Sequence, residues 1–160
     1  MNNEATRTFI RHALATIAYR IRKPISDVPD AFPNFRIGES SRSPVEILAH
    51  LGDLMEWSLS MVNGTNVWKT ETPNEEWSKE VERFYRTLRQ FDNYLASDEP
   101  LHAPLERLFQ GPIADSLTHI GQLGMLRRLV GTPIKGENFF IANVAIGNVG
   151  KEQGVPVREF

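Results

Sequence analysis

The chain contains no cysteine, which removes disulfides, thiolate metal sites and cysteine nucleophiles from its chemistry. No stretch approaches the roughly 18 apolar residues of a membrane span, so no membrane partner is expected. No charge of one sign dominates either. Eighteen Lys and Arg stand against 20 Asp and Glu, for a formal net charge of −2. The basic footprint of a nucleic-acid binder is missing, apart from a local pair at Arg127 and Arg128. There is no Gly-rich phosphate cradle, no Gly-x-Ser-x-Gly elbow, no internal repeat and no low-complexity segment. The polar opening Met1-Asn-Asn-Glu-Ala-Thr-Arg7 takes up helical periodicity at once, unlike a secretory leader, and a cytoplasmic protein is the expectation.

What is present suits one soluble domain. The 160 residues can bury a substantial core, and the 41% hydrophobic and 24% charged shares are those of ordinary globular proteins. Four helical segments are predicted. The first spans about residues 4 to 22, with Phe9, Ile10, Ala13, Leu14, Ile17 and Ile21 as its apolar stripe, and Pro24 and Pro29 end it. The second starts at Ser43 as N-cap, with Pro44 in the first turn and Glu46 closing a capping box. Its buried stripe is Leu48, Leu51, Met55, Leu59 and Val62; its wet side is Glu46, Asp53, Glu56 and Ser60; Asn63-Gly64 stops it. The third repeats the starting device at Thr72, Pro73 and Glu75, and its core candidates are Trp77, Val81, Phe84, Leu88, Phe91 and Leu95. Gly111-Pro112 opens the fourth, which ends near Val130-Gly131. The expected fold is an all-α four-helix bundle over residues 1–133 with an irregular C-terminal tail over 134–160. Phe139-Phe-Ile-Ala-Asn-Val-Ala-Ile146 in that tail is apolar enough to be expected packed across the bundle, rimming the site described next.

The chemistry concentrates on the fourth helix. Asp115 and His119 are four residues apart and so share one face, with Gln122 and Leu126 within about 60° of them on the 3.6-residue repeat. His50, on the shoulder of the second helix's stripe, is the best candidate for a third ligand. Two imidazoles and one carboxylate leave coordination positions open, the pattern of a catalytic divalent ion such as Zn²⁺ or non-haem Fe²⁺. On spacing alone, an Asp and a His four apart such as Asp115 and His119 are more often a surface hydrogen-bonded pair than metal ligands. Gln122 is expected as a polar neighbour of the ligands; His12, on the flank of the first helix, could approach them as a further donor, though a surface place is the commoner reading for it. His102 lies in a polar loop, and Trp57, Trp68 and Trp77 read as core and interface aromatics.

Ser43-Pro-Val-Glu-Ile-Leu-Ala-His-Leu-Gly-Asp53, followed by His119-Ile-Gly-Gln122 and Leu126-Arg-Arg-Leu-Val-Gly-Thr-Pro133, resembles the DinB/YfiT-like superfamily over residues 1 to about 133. The resemblance implies an up-down-down-up bundle with parallel second and third helices. It also implies a divalent metal (Zn, Ni or Fe) held by His50, His119 and a residue at position 115, where the family usually carries a second histidine and this chain carries Asp115. A carboxylate is a competent ligand there. By the same resemblance the protein is a metal-dependent enzyme acting through a low-molecular-weight thiol in an S-transfer reaction, with a small-molecule substrate and a homodimeric state. The alternatives are a metal-dependent hydrolase and a non-catalytic dimeric helical binding protein.

Overall fold

The computed structural model describes residues 3–69 and 76–160. Among them the structure is helical and has no strand; only one isolated antiparallel bridge occurs, between Glu137 and Glu159. The main helices are α1 (Asn3–Ile25), α2 (Pro44–Val62), α3 (Trp77–Ala96) and a final helix made of α4 (Leu105–Leu108), a π turn (Phe109–Ile113) and α5 (Ala114–Leu129).

The capping box of α2 is present: Glu46 Oε2 accepts from the Ser43 backbone N at 2.7 Å. That bond, with help from Arg36, holds the Glu46 carboxyl below its ordinary pKa against the opposing effect of burial. The far end closes as expected on Gly64, whose φ of +86° favours glycine. There Thr65 N donates to Ser60 O at 2.9 Å and Gly64 N to Met61 O at 3.2 Å, the paired bonds of a Schellman stop. The start expected at Thr72, Pro73 and Glu75 lies outside the described residues; α3 itself runs from Trp77.

Two boundaries differ from expectation. α1 continues through Pro24 to Ile25. Pro112 does not open the last helix but sits inside it, within the π turn. Proline brings no N–H and crowds the carbonyl four residues back, so an α ladder breaks there and a wider turn accommodates it. The helix therefore begins at Leu105, and its phase is reset immediately before Asp115.

The core is built from the stripes expected on the first three helices, joined by apolar residues of α5. Ile10, Leu14, Ile17 and Ile21 of α1 meet Leu48, Leu51 and Met55 of α2, Phe84, Leu88 and Phe91 of α3, and Ile120, Leu123 and Leu126 of α5. Each such side chain, fully withdrawn from water, contributes about 1.5–3 kcal/mol. Phe9 is the exception, exposed on α1 against Phe109.

Asp53, expected on the wet side of α2, is buried. It pairs at 3.0 Å with Arg83 of α3, which also holds Glu80 at 2.9 Å and Glu56 at 3.3 Å and donates to Ala49 O at 2.6 Å. This hub joins the two helices at mid-height.

The tail behaves differently from expectation. Only Val149 and Glu137 are buried in it, whereas Phe140 is 96% exposed and Phe139, Ile141 and Ile146 are also open to solvent. What ties the tail down is polar: Tyr19 donates to the Glu137 carboxylate, and Lys23 pairs with it at 2.8 Å. The neighbouring carboxylate and burial push the Tyr19 hydroxyl up to about 12, burial being the larger cause. Residues 136–138 and 158–160 then close on each other through Asn138 N to Arg158 O and Phe160 N to Gly136 O, both 3.1 Å.

Candidate metal centre

Three side chains from two helices converge at one place. His50 lies two turns into α2; Asp115 and His119 stand one above the other at the start of α5. His50 Nε2 is 3.3 Å from Asp115 Oδ2, His119 Nδ1 is 3.2 Å from Asp115 Oδ1, and the imidazole centroids are 4.8 Å apart. One donor atom from each residue lies within 4.8 Å of the other two. Ligands held 2.0–2.2 Å from a common ion stand about 3–4 Å apart, so closure needs side-chain movements of about 1 Å. The group could hold a metal ion, and the donor set of two imidazoles and one carboxylate suits a divalent one.

Local bonding prepares these donors. His119 Nδ1 faces the Asp115 backbone O at 2.9 Å, which fixes the proton on that nitrogen. Nε2 then carries the lone pair, consistent with the Arg42 guanidinium 3.4 Å from it, since arginine can only donate. Burial drives His50 below its ordinary pKa. Arg42 and His119 act in the same direction, and the Asp115 carboxylate only partly opposes them. His50 is thus disposed as a neutral ligand, the form a cation requires. Asp115 is 43% exposed, so the cluster opens to solvent on its carboxylate side.

The surroundings contain groups that sequence reasoning overlooked. Arg42 belongs to the connection before α2, and its only sequence signal is adjacency to the Ser43 cap that fixes the chain's course there. Trp68, read as a structural aromatic, meets His50 edge-on at 6.2 Å and Trp57 at 5.3 Å. It arrives because the chain after Gly64 folds back along α2, pinned by Thr65 and Asn66 N–H to Ser60 O and by Trp57 Nε1 to Asn66 Oδ1 at 3.3 Å.

A groove of about 480 Å³ opens beside His119. Gln122 lines it, as expected for a polar neighbour, together with Arg42, Ile37, Ile47, Met125 and Leu126. No tail residue contributes, so the tail does not rim this site; the 26–43 connection does. His12 is exposed on α1, and no hydrogen bond or ring contact links it to His50, Asp115 or His119. His102 is exposed beside Gly64, its N–H donating to Val62 O at 3.0 Å. No helix is long and apolar enough to cross a membrane among the described residues. No family model, curated protein or solved structure matches this chain.

Proposed function

We propose that this protein is a divalent-metal-dependent enzyme of the DinB-like type, acting on a small molecule through a low-molecular-weight thiol. The single observation that carries this reading is the convergence of His50, Asp115 and His119. The order of their motifs along the chain supports it, as does the way the helices meet. Phe32 contacts Trp77 and Pro33 O accepts from Val45 N, so α2 and α3 start at one end; His102 N reaches Val62 O at the other. Arg7 binds the Leu95 and Ser97 carbonyls, and Arg127 binds Ser26 O at 2.7 Å. These contacts support an up-down-down-up four-helix bundle with α2 and α3 parallel.

In this reading His50, Asp115 and His119 hold the cation. What a bound divalent ion supplies is positive charge that keeps a thiol ionised near neutral pH. The protein's own residues do the rest. The Asp115 backbone carbonyl orients His119, and Trp68 packs edge-on against His50. Arg42 and Gln122 offer donors to a polar substrate group, while Ile37, Ile47 and Leu126 receive an apolar one.

The deciding experiment is metal content after purification under metal-replete conditions, joined to a thiol-conjugation screen. One equivalent of Zn, Ni or Fe, lost in His119→Ala, is the expected result. No bound metal would leave the second reading, a non-catalytic dimer. Met125 and Leu129, large apolar residues exposed on α5, favour that reading by giving a second copy a surface to cover.

A further inference from the structure

A second groove, of about 370 Å³, lies on the other side of Met125, between the C-terminal half of α1, the last turns of α5 and residues 134–139. Its walls carry four cations: Arg20, Lys23, Arg128 and Lys135. Two carboxylates answer them. Glu137 is 2.8 Å from Lys23, and Glu159 is 2.6 Å from Lys23 and 3.7 Å from Lys135. Two positive charges are left over, in a protein whose formal net charge is −2. The surplus falls on the arginines. Among the described residues neither Arg20 nor Arg128 has a carboxylate partner. Arg20 is held instead by its stack on the Phe139 ring, 4.4 Å from the centroid, which leaves the guanidinium N–H edge free to donate.

The floor of the groove gives an independent argument. Gly121 and Gly124 both line it, in the middle of α5. A Cβ at Gly121 would meet nothing within 4 Å, and one at Gly124 only Ile134 Cδ1 at an ordinary 3.7 Å. Helix packing therefore demands neither glycine, although each costs the helix about 1 kcal/mol relative to alanine. Their effect is to keep the groove deep between Phe139 and Met125. By contrast Arg127, the other half of the basic pair seen in the sequence, turns inward. It bonds to Ser26 O and Thr132 O and contributes nothing to this surface.

We infer that this groove is a second binding site, for a small organic phosphate monoester. The two unpaired arginines take the dianionic headgroup, and an apolar body lies over Gly121 and Gly124 against Phe139. Arginine's planar fork matches phosphate oxygens two at a time, and a cavity of this size suits a small molecule.

Phenyl phosphate titrated into the full chain by calorimetry, with inorganic phosphate alongside, tests the inference. Phenyl phosphate is expected to bind about tenfold more tightly than inorganic phosphate, and R20Q/R128Q to weaken it about tenfold or more. Gly121→Leu, which fills the floor without changing charge, should weaken phenyl phosphate and leave inorganic phosphate unaffected. His119→Ala should change neither, which separates this site from the metal centre. Circular dichroism and urea midpoints establish that each variant is folded. The inference is overturned if phenyl phosphate binds no better than inorganic phosphate, or if R20Q/R128Q binds it as the parent does.

Discussion

Gly52→Ala is expected to destabilise this protein although it places a better helix former in the middle of α2. The propensity gain is about 1 kcal/mol. Against it stands Arg83: a Cβ at position 52 would lie 2.8 Å from Cζ, 2.9 Å from Nη2 and 3.0 Å from Nη1. To restore ordinary contact at 3.4 Å the guanidinium must retreat by about 0.6 Å. An unconstrained arginine would do so at little cost. This one is fixed by Asp53, Glu56, Glu80 and the Ala49 carbonyl at 2.6–3.3 Å, and its side chain is 11% exposed. Loss of one charge-assisted hydrogen bond costs about 1.5–3 kcal/mol, so the net destabilisation is about 0.5–2 kcal/mol. Urea unfolding followed by tryptophan fluorescence measures it. The decisive control is the same change in an Asp53→Asn/Glu80→Gln/Arg83→Ala background, where the guanidinium and its buried partners' charges are gone. There Gly52→Ala should stabilise by about 1 kcal/mol, a reversal of sign. Equal effects in both backgrounds would refute the argument that Arg83 is what excludes a side chain at position 52.

Tyr19→Phe should cost about 1–3 kcal/mol by urea unfolding, because it strips a donor from the buried Glu137 carboxylate; a change within error would mean that this bond does not anchor the tail. In metal-free protein, the His50 ring proton signal should titrate below the ordinary histidine midpoint of about 6.5. The folded pKa is lowered, so the unfolded chain binds this proton first. The contribution is fully present above about 6.5 and is lost as pH falls from there through the folded value, and a His50 midpoint above 6.5 would contradict it. Asp115→Ala should abolish retention of the metal on dialysis whereas Asp115→His keeps it, as read by elemental analysis; equal retention in both would remove Asp115 from the ligand set.

The parts of this structure legible in the sequence are those encoded within a turn or two of chain. Ser43, Pro44, Glu46 and Gly64 bound α2 through contacts between near neighbours, and Asp115 with His119 is fixed by helical spacing alone. His50 was reachable because a polar residue on the edge of an apolar stripe points where helices meet. What failed depended on distant partners. Asp53 looks solvated until Arg83, 30 residues later, is seen beside it. Arg42 and Trp68 arrive at the site on connections whose paths no local rule prescribes. Pro112 misled because Gly-Pro suits a helix start as well as it suits a π turn. The hydrophobicity of Phe139 to Ile146 suggested burial, but the tail is secured by charge at Glu137 and leaves that stretch outside.

The fold-back that carries Trp68 onto His50 also gives the centre its own optical reporter. An indole edge-on to the His50 ring and packed on a second indole at Trp57 emits from beside one of the residues that could hold a cation. Open-shell ions such as Ni²⁺ and Fe²⁺ quench a neighbouring excited indole, and closed-shell Zn²⁺ does not. Trp77, packed against Phe32 apart from this cluster, supplies an emission background in the same molecule. Offered Ni²⁺, Fe²⁺ or Zn²⁺ in turn, the chain would report, unlabelled, which kind of ion it holds.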